Sequence, residues 1–187
     1  MNLINAIFQR GFLLLLGCMA IVSAAQAEIS VRDDSGRTIV LPAPAHRIVS
    51  LAPHVTELLY AAGAGDALVG AVAYSDYPEA AKVIPRVGGG AGLDIEAIVA
   101  LRPDLIIGWQ TGNPVWQIER LAKLGFPVFM TEPRHIDDVA DLLARFGRLA
   151  GTEKAAGKSA GEFRRHAARL RARYSKRPTV TVFYQLL

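Results

Sequence analysis

A single cysteine, four histidines and an aromatic share of 7% give this 187-residue chain few means of stapling a fold or holding a metal. The cysteine is Cys18, and none follows it. A disulfide within the rest of the chain is therefore excluded, and an apolar core must supply the stability. His46, His54, His135 and His166 have no compact zinc spacing, so no metal ligands are assigned. The glycine-rich run from Val87 to Gly92 has neither the GxGxxG order nor the Walker Lys-Ser/Thr ending, and reads as a tight loop beside a cleft rather than a phosphate cradle. Ser50 stands near His54 without a GxSxG context, and no acid–base set accompanies it. No catalytic residue and no catalytic cofactor are expected, and the chain does not read as an enzyme.

What is present begins with an export segment. Arg10 precedes the apolar run Phe12 to Val22, small residues follow at Ser23, Ala24 and Ala25, and Ala25-Gln26-Ala27 is a small-x-small cleavage signal. Residues 1–27 thus read as a signal peptide. Cys18, Ser23 and Gln26 shorten the purely apolar run below a membrane span. Leu15-Leu16-Gly17-Cys18 also resembles a lipoprotein box, which would anchor the protein by lipid at Cys18. Both routes place the folded part outside the cytoplasmic membrane, in the periplasm. Losing Arg10 lowers the formal charge of +4 by one, and so modest a balance selects no partner.

From Val31 onward, short apolar strands alternate with helices. Val31–Leu41 reads as two strands around a polar turn at Gly36, broken by Pro42 and Pro44. Strands follow at Arg47–Leu51, Ala67–Val72, Leu105–Trp109 and Phe126–Met130, with helices at Val55–Ala62, Leu93–Leu101, Val115–Leu124 and His135–Leu149. The class is α/β, with a mostly parallel sheet covered on both faces. Thr152 to Tyr174 has no proline, and Phe163, Ala167, Leu170 and Tyr174 recur at helical spacing. Thr152 suits its cap, while Gly157 and Gly161 weaken its first half. A full helix there would run about 35 Å, long enough to brace a lobe. Pro178 ends it, and Thr179–Tyr184 reads as a new strand whose partners would lie in a second lobe. The organisation expected is a signal peptide at 1–27, a binding lobe at 28–151, an interlobe helix at 152–177 and the first strand of a further lobe at 178–187.

Two loops at strand ends attract ligand readings. Tyr74-Ser75-Asp76-Tyr77-Pro78 offers rings with hydroxyls, and Asp76 is suited to holding the loop through backbone hydrogen bonds. The other reading is a turn with a core tyrosine. Trp109 is placed equally well for stacking and for the core; Gly112 permits close backbone approach. Asn113-Pro114 is a helix start, with asparagine as cap. Asp94 suits the cap of the next helix, leaving Glu96 in its first turn, either solvated or as a docking charge. Arg164, Arg165, Arg169, Arg171, Arg173, Lys176 and Arg177 fan around the solvent side of the long helix without interleaved aromatics, so no nucleic acid is expected.

Arg47-Ile48-Val49-Ser50-Leu51-Ala52-Pro53, Thr56-Glu57-Leu58, Tyr74-Ser75-Asp76-Tyr77-Pro78, Leu101-Arg102-Pro103-Asp104-Leu105 and Trp109-Gln110-Thr111-Gly112-Asn113 together resemble the periplasmic cobalamin-binding proteins of vitamin B12 ABC importers. That family lies within the wider group that also carries haem and iron–siderophores. The resemblance implies two α/β lobes joined by one long helix, with a bulky corrinoid held between them, and a monomer that delivers it to an inner-membrane permease. It implies ligand contacts from Tyr74 and Trp109 and permease docking through Glu96; Gly112 and Asn113, from the loop that carries Trp109, are counted with the ligand site. Gly90 departs from the pattern, for the family member most like this chain carries an aromatic residue in the corresponding loop. Haem and ferric siderophore transport remain the alternatives.

Overall fold

The computed structural model describes residues 28–90 and 92–185. The expected signal peptide at 1–27, including Cys18, lies outside the described residues. Within them no helix is long and apolar enough to cross a membrane.

Runs without polar alternation predict strands covered on both faces, and the main sheet is built from them. β3 (Ile48–Ser50), β4 (Leu68–Ala71), β7 (Leu105–Trp109) and β8 (Val128–Thr131) form a parallel four-stranded sheet in the order β4-β3-β7-β8. A separate antiparallel hairpin joins β1 (Ile29–Arg32) to β2 (Thr38–Leu41), and a short one joins β5 (Gly88–Gly89) to β6 (Gly92–Leu93). Because successive strand residues face opposite ways, Ile48, Leu105, Ile107 and Phe129 enter one core, whereas Val49, Ile106, Val128 and Met130 enter another. The first is covered by α1 (Pro53–Ala61), α4 (Ile136–Ala150) and α5 (Glu153–Tyr174); the second by α2 (Ile95–Ala100) and α3 (Val115–Lys123). The expected α/β class and double coverage are what the structure has.

The helix ends separate good sequence signals from misleading ones. Asp94 caps α2 as expected, its carboxylate accepting from the Ala97 N–H at 2.9 Å. Thr152 does not cap α5, because its φ of −117° and ψ of 32° aim the side chain elsewhere, and its buried hydroxyl has no hydrogen-bond partner among the described residues. At the start of α4 the Asp138 carboxylate accepts from the Arg134 and His135 N–H groups, each at 2.8 Å. The Arg134 and His135 N–H groups hold the Asp138 carboxyl below its ordinary range.

α5 runs unbroken through Gly157 and Gly161 for 22 residues, about 33 Å at the usual rise. Packing on α4 overrides the weak propensity of the glycines. Ala156 and Ala160 are buried there, and a side chain on Gly147 of α4 would collide with Ala156. Arg164 reaches Asp141 at 2.7 Å and Arg171 reaches Asp137 at 2.9 Å, so part of the expected solvent fan pairs with α4. The apolar stripe engages the core only as far as Ala167; Leu170 and Tyr174 are exposed. Thr179–Tyr184, read above as a strand, forms no ladder with any described residue, and Val180, Val182, Phe183 and Tyr184 are exposed. Alternation alone sets no register without a neighbouring strand.

Candidate functional site

Chain order and sheet order part company between β3 and β7. The chain leaves β3 for β4 on one side through α1, then returns past β3 to β7 on the other, continuing through α3. Helices covering opposite faces diverge there, which opens a crevice beyond the carboxyl ends of the strands, where α/β sheets bind ligands. Its volume is about 350 Å³, and Leu51, Pro53, Tyr74, Gly90, Trp109 and Asn113 are among its walls. Tyr74, Trp109, Gly112 and Asn113 thus converge as the sequence placed them, while Tyr77 stands outside the lining. Among the described residues no group of three or more potential ligating side chains is placed to hold a metal ion.

Tyr74 is not a core tyrosine. It is 82% exposed, and its φ of 65° is uncommon for a residue with a side chain, a conformation that persists only where the surroundings enforce it. The surroundings here are a set of buried hydroxyls. Thr56 Oγ1 of α1 lies 2.8 Å from Ser50 Oγ of β3 and 3.2 Å from Ser75 Oγ, one residue beyond Tyr74. Ser50 donates to the Ala52 carbonyl at 3.0 Å. The hydroxyl that stood near His54 in sequence is therefore a buried strut. Asp76 does not hold the loop through backbone hydrogen bonds; it accepts from Arg86, which also donates to the Ser75 carbonyl, each at 3.0 Å.

Trp109 ends β7 and is 38% exposed. Any Cβ on Gly112 would fall inside that ring. The close approach that Gly112 permits is thus to Trp109, whose indole packs against the Gly112 backbone. On another side Trp109 meets His54 in a T-shaped contact, with centroids 5.3 Å apart and planes at 89°. Burial pushes the His54 imidazole below its usual pKa, with Glu132 partly opposing. Asn113 is not the cap of α3; Pro114 takes that place without a side-chain bond. Its amide instead accepts from the Trp109 N–H at 2.7 Å and donates to the Leu51 carbonyl at 2.9 Å. It therefore links the ends of β7 and β3 across the crevice.

The glycine hairpin forms the facing rim. Gln117 of α3 clamps it, accepting from the Leu93 N–H at 2.9 Å and donating to the Leu93 carbonyl at 3.1 Å. Space around Gly90 is open. Glu96 is exposed in the first turn of α2. Sequence reasoning missed His54, Ser75, Arg86 and Gln117 as site builders; their partners are distant in the chain, and only the Thr56-Glu57-Leu58 and Tyr-Ser-Asp-Tyr-Pro segments hinted at two of the contacts.

A family model described as periplasmic binding protein matches residues 48–187. The vitamin B12-binding protein of Yersinia pestis (strain Pestoides F) is 44% identical over 148 residues, covering 79% of this chain and 53% of that protein. The chain spans about half the length of the curated relatives it matches. Among solved structures, the periplasmic vitamin B12 binding protein of Vibrio cholerae superposes with a TM-score of 0.69 at 41% identity, covering 71% of this chain and 52% of that one. A periplasmic heme binding protein from Pseudomonas aeruginosa gives 0.62 at 27% identity, with 71% and 50% covered.

Proposed function

The chain belongs to the periplasmic binding protein family, and from that premise we propose that it captures cobalamin or a related corrinoid in the periplasm and passes it to the permease of an ABC importer. The observation that supports this reading most is the open crevice between β3 and β7 with two exposed rings on its rim, Tyr74 and Trp109. A trough walled by apolar and aromatic groups, with a few fixed polar atoms, suits a broad ligand with a flat face. Tyr74 and Trp109 make the face contacts, Gly112 seats the indole, and Asn113 fixes the spacing of the strand ends. The protein does no chemistry on the ligand, and ATP is consumed by other subunits.

Residues 28–151 act as one binding lobe in this proposal, 152–177 as the connector and 178–187 as the first strand of a second lobe. The alternating apolar run Val180 to Tyr184, exposed and without a ladder partner among the described residues, supports it, since apolar side chains of a strand are ordinarily covered by neighbours. The working protein is a monomer whose ligand sits between lobes. Glu96 serves as a docking charge toward cationic groups on the permease. Glu96→Lys should reduce corrinoid uptake in cells by about tenfold through lost charge complementarity, with ligand affinity unchanged by calorimetry. Equal uptake would remove Glu96 from the docking surface.

Haem transport is the second reading, favoured by the exposed Tyr74 and Tyr77 phenols, which are able to ligate haem iron. Calorimetric titration of the full-length protein with cobalamin, haem and a ferric siderophore separates the readings. Saturable binding of cobalamin alone is expected. Tight binding of haem or siderophore with no cobalamin heat would overturn the corrinoid assignment.

A further inference from the structure

His54 touches Trp109 from behind the crevice wall, and the inference drawn from it rests on Trp109 facing the ligand. We infer that His54 is a positioning residue for Trp109: its neutral ring holds the indole on the Gly112 turn, and its protonation releases it. His54 is the one ring in T-shaped or stacked contact with Trp109 among the described residues. Its Nε2 is enclosed and has no hydrogen-bond partner among them. An imidazolium carries N–H on both nitrogens, so the charged form would bury a donor with no acceptor. His54 is also the second residue of α1, a nine-residue helix with no acidic side chain in its first turn. The positive end of a helix disfavours a cation.

The groups around the other side of the ring give the charged form a direction to move. His54 lines a groove of about 560 Å³ between α1, α4 and α5, with Glu57 on its own helix and with Glu162 and His166 from α5. α4 contributes only the apolar Val139 and Leu143, and Pro133 follows β8. Glu132 acts on His54 from the same turn, with Arg134 at 4.0 Å from its carboxylate. Neutral His54 packs against the indole; charged His54 is drawn to Glu132, Glu57 and Glu162, leaving Trp109 without its support.

The imidazole pKa lies below 6.5 in the folded chain. Well above the ordinary histidine value the ring is neutral in folded and unfolded states alike. As pH falls from 6.5 toward the folded value, the unfolded chain takes up a proton that the folded chain refuses, so stability falls. Below the folded value the native ring charges and Trp109 is freed.

Trp109 and Trp116 are the two tryptophans, so the full chain carrying Trp116→Phe reports Trp109 alone. Its fluorescence and acrylamide quenching, followed from neutral to acid pH, should show one reversible transition centred below 6.5, with the indole more accessible on the acid side. His54→Phe, which retains a ring without a titrating nitrogen, should abolish the transition and keep quenching low; His54→Ala should leave quenching high at every pH. A transition that survives in His54→Phe, or one centred above 6.5, overturns the inference. His166→Gln should leave the transition intact, and its disappearance there would assign the titration to His166 instead. No ligand is needed, so a parallel cobalamin titration that fails overturns the corrinoid reading and leaves the His54 result standing.

Discussion

Trp109→Ala in the full-length protein should weaken cobalamin binding by about thirtyfold, the equivalent of about 2 kcal/mol for a well-seated tryptophan anchor. The magnitude follows from how the ring is held. Trp109 is 38% exposed, backed by His54 and pressed on the backbone of Gly112, so little freedom remains to be lost when a flat ligand arrives. Calorimetry gives the change in Kd, and circular dichroism of the unliganded variant shows whether the sheet is intact. Equal affinity for both proteins would take Trp109 out of the binding site. A surface ring of this kind contributes modestly to stability, so lost binding with an unchanged melt is the pattern expected.

Phe146→Ala should do the reverse, lowering unfolding free energy by about 3–5 kcal/mol. Phe146 is fully buried on α4 and meets Phe129 of β8 at 6.2 Å between centroids, with planes at 74°. It fills the core that α1, α4 and α5 share with one face of the sheet. Truncation leaves a void that the rigid surroundings of two helices and a strand close only in part. The guanidinium of Arg145 covers the Phe129 ring at 5.6 Å and is fixed by Asp34 at 2.7 Å, which further limits collapse. Against a total stability of about 5–15 kcal/mol for a domain of this kind, the loss should lower the melting temperature by roughly 10 °C. A shift of only one or two degrees would mean the helical layer repacks.

The parallel strands were legible because Ile48-Val49, Leu105–Ile107 and Val128–Met130 are apolar at every position, a pattern that only double coverage explains. The cap at Asp94 was legible because one side chain and one nearby N–H suffice. Asn113-Pro114 carried the same local signal and means something else, since the Leu51 carbonyl and the Trp109 N–H engage the two ends of the amide together, and only one of those groups is near in sequence. Thr152 failed as a cap for want of the right backbone angles, which composition does not encode. Tyr74 and Trp109 were placed at strand ends correctly, yet their exposure depends on Ser50, Thr56, Ser75 and Gly112, whose roles arise from packing. His54 gave no signal at all, because a lone histidine beside a proline is informative only once its neighbour is known.

The Asn113 amide grips β3 through the Leu51 carbonyl and β7 through the Trp109 N–H. On the proposed binding role, a guest arriving at this mouth would meet strand ends of set spacing, because parting them would break the β3–β7 ladder together with one of these bonds. Selection among flat guests of similar area would then fall to thickness and edge polarity, with little help from wall adaptation. On the proposed two-lobe reading, opening and closing would belong to movement of one lobe against the other rather than to the strand ends.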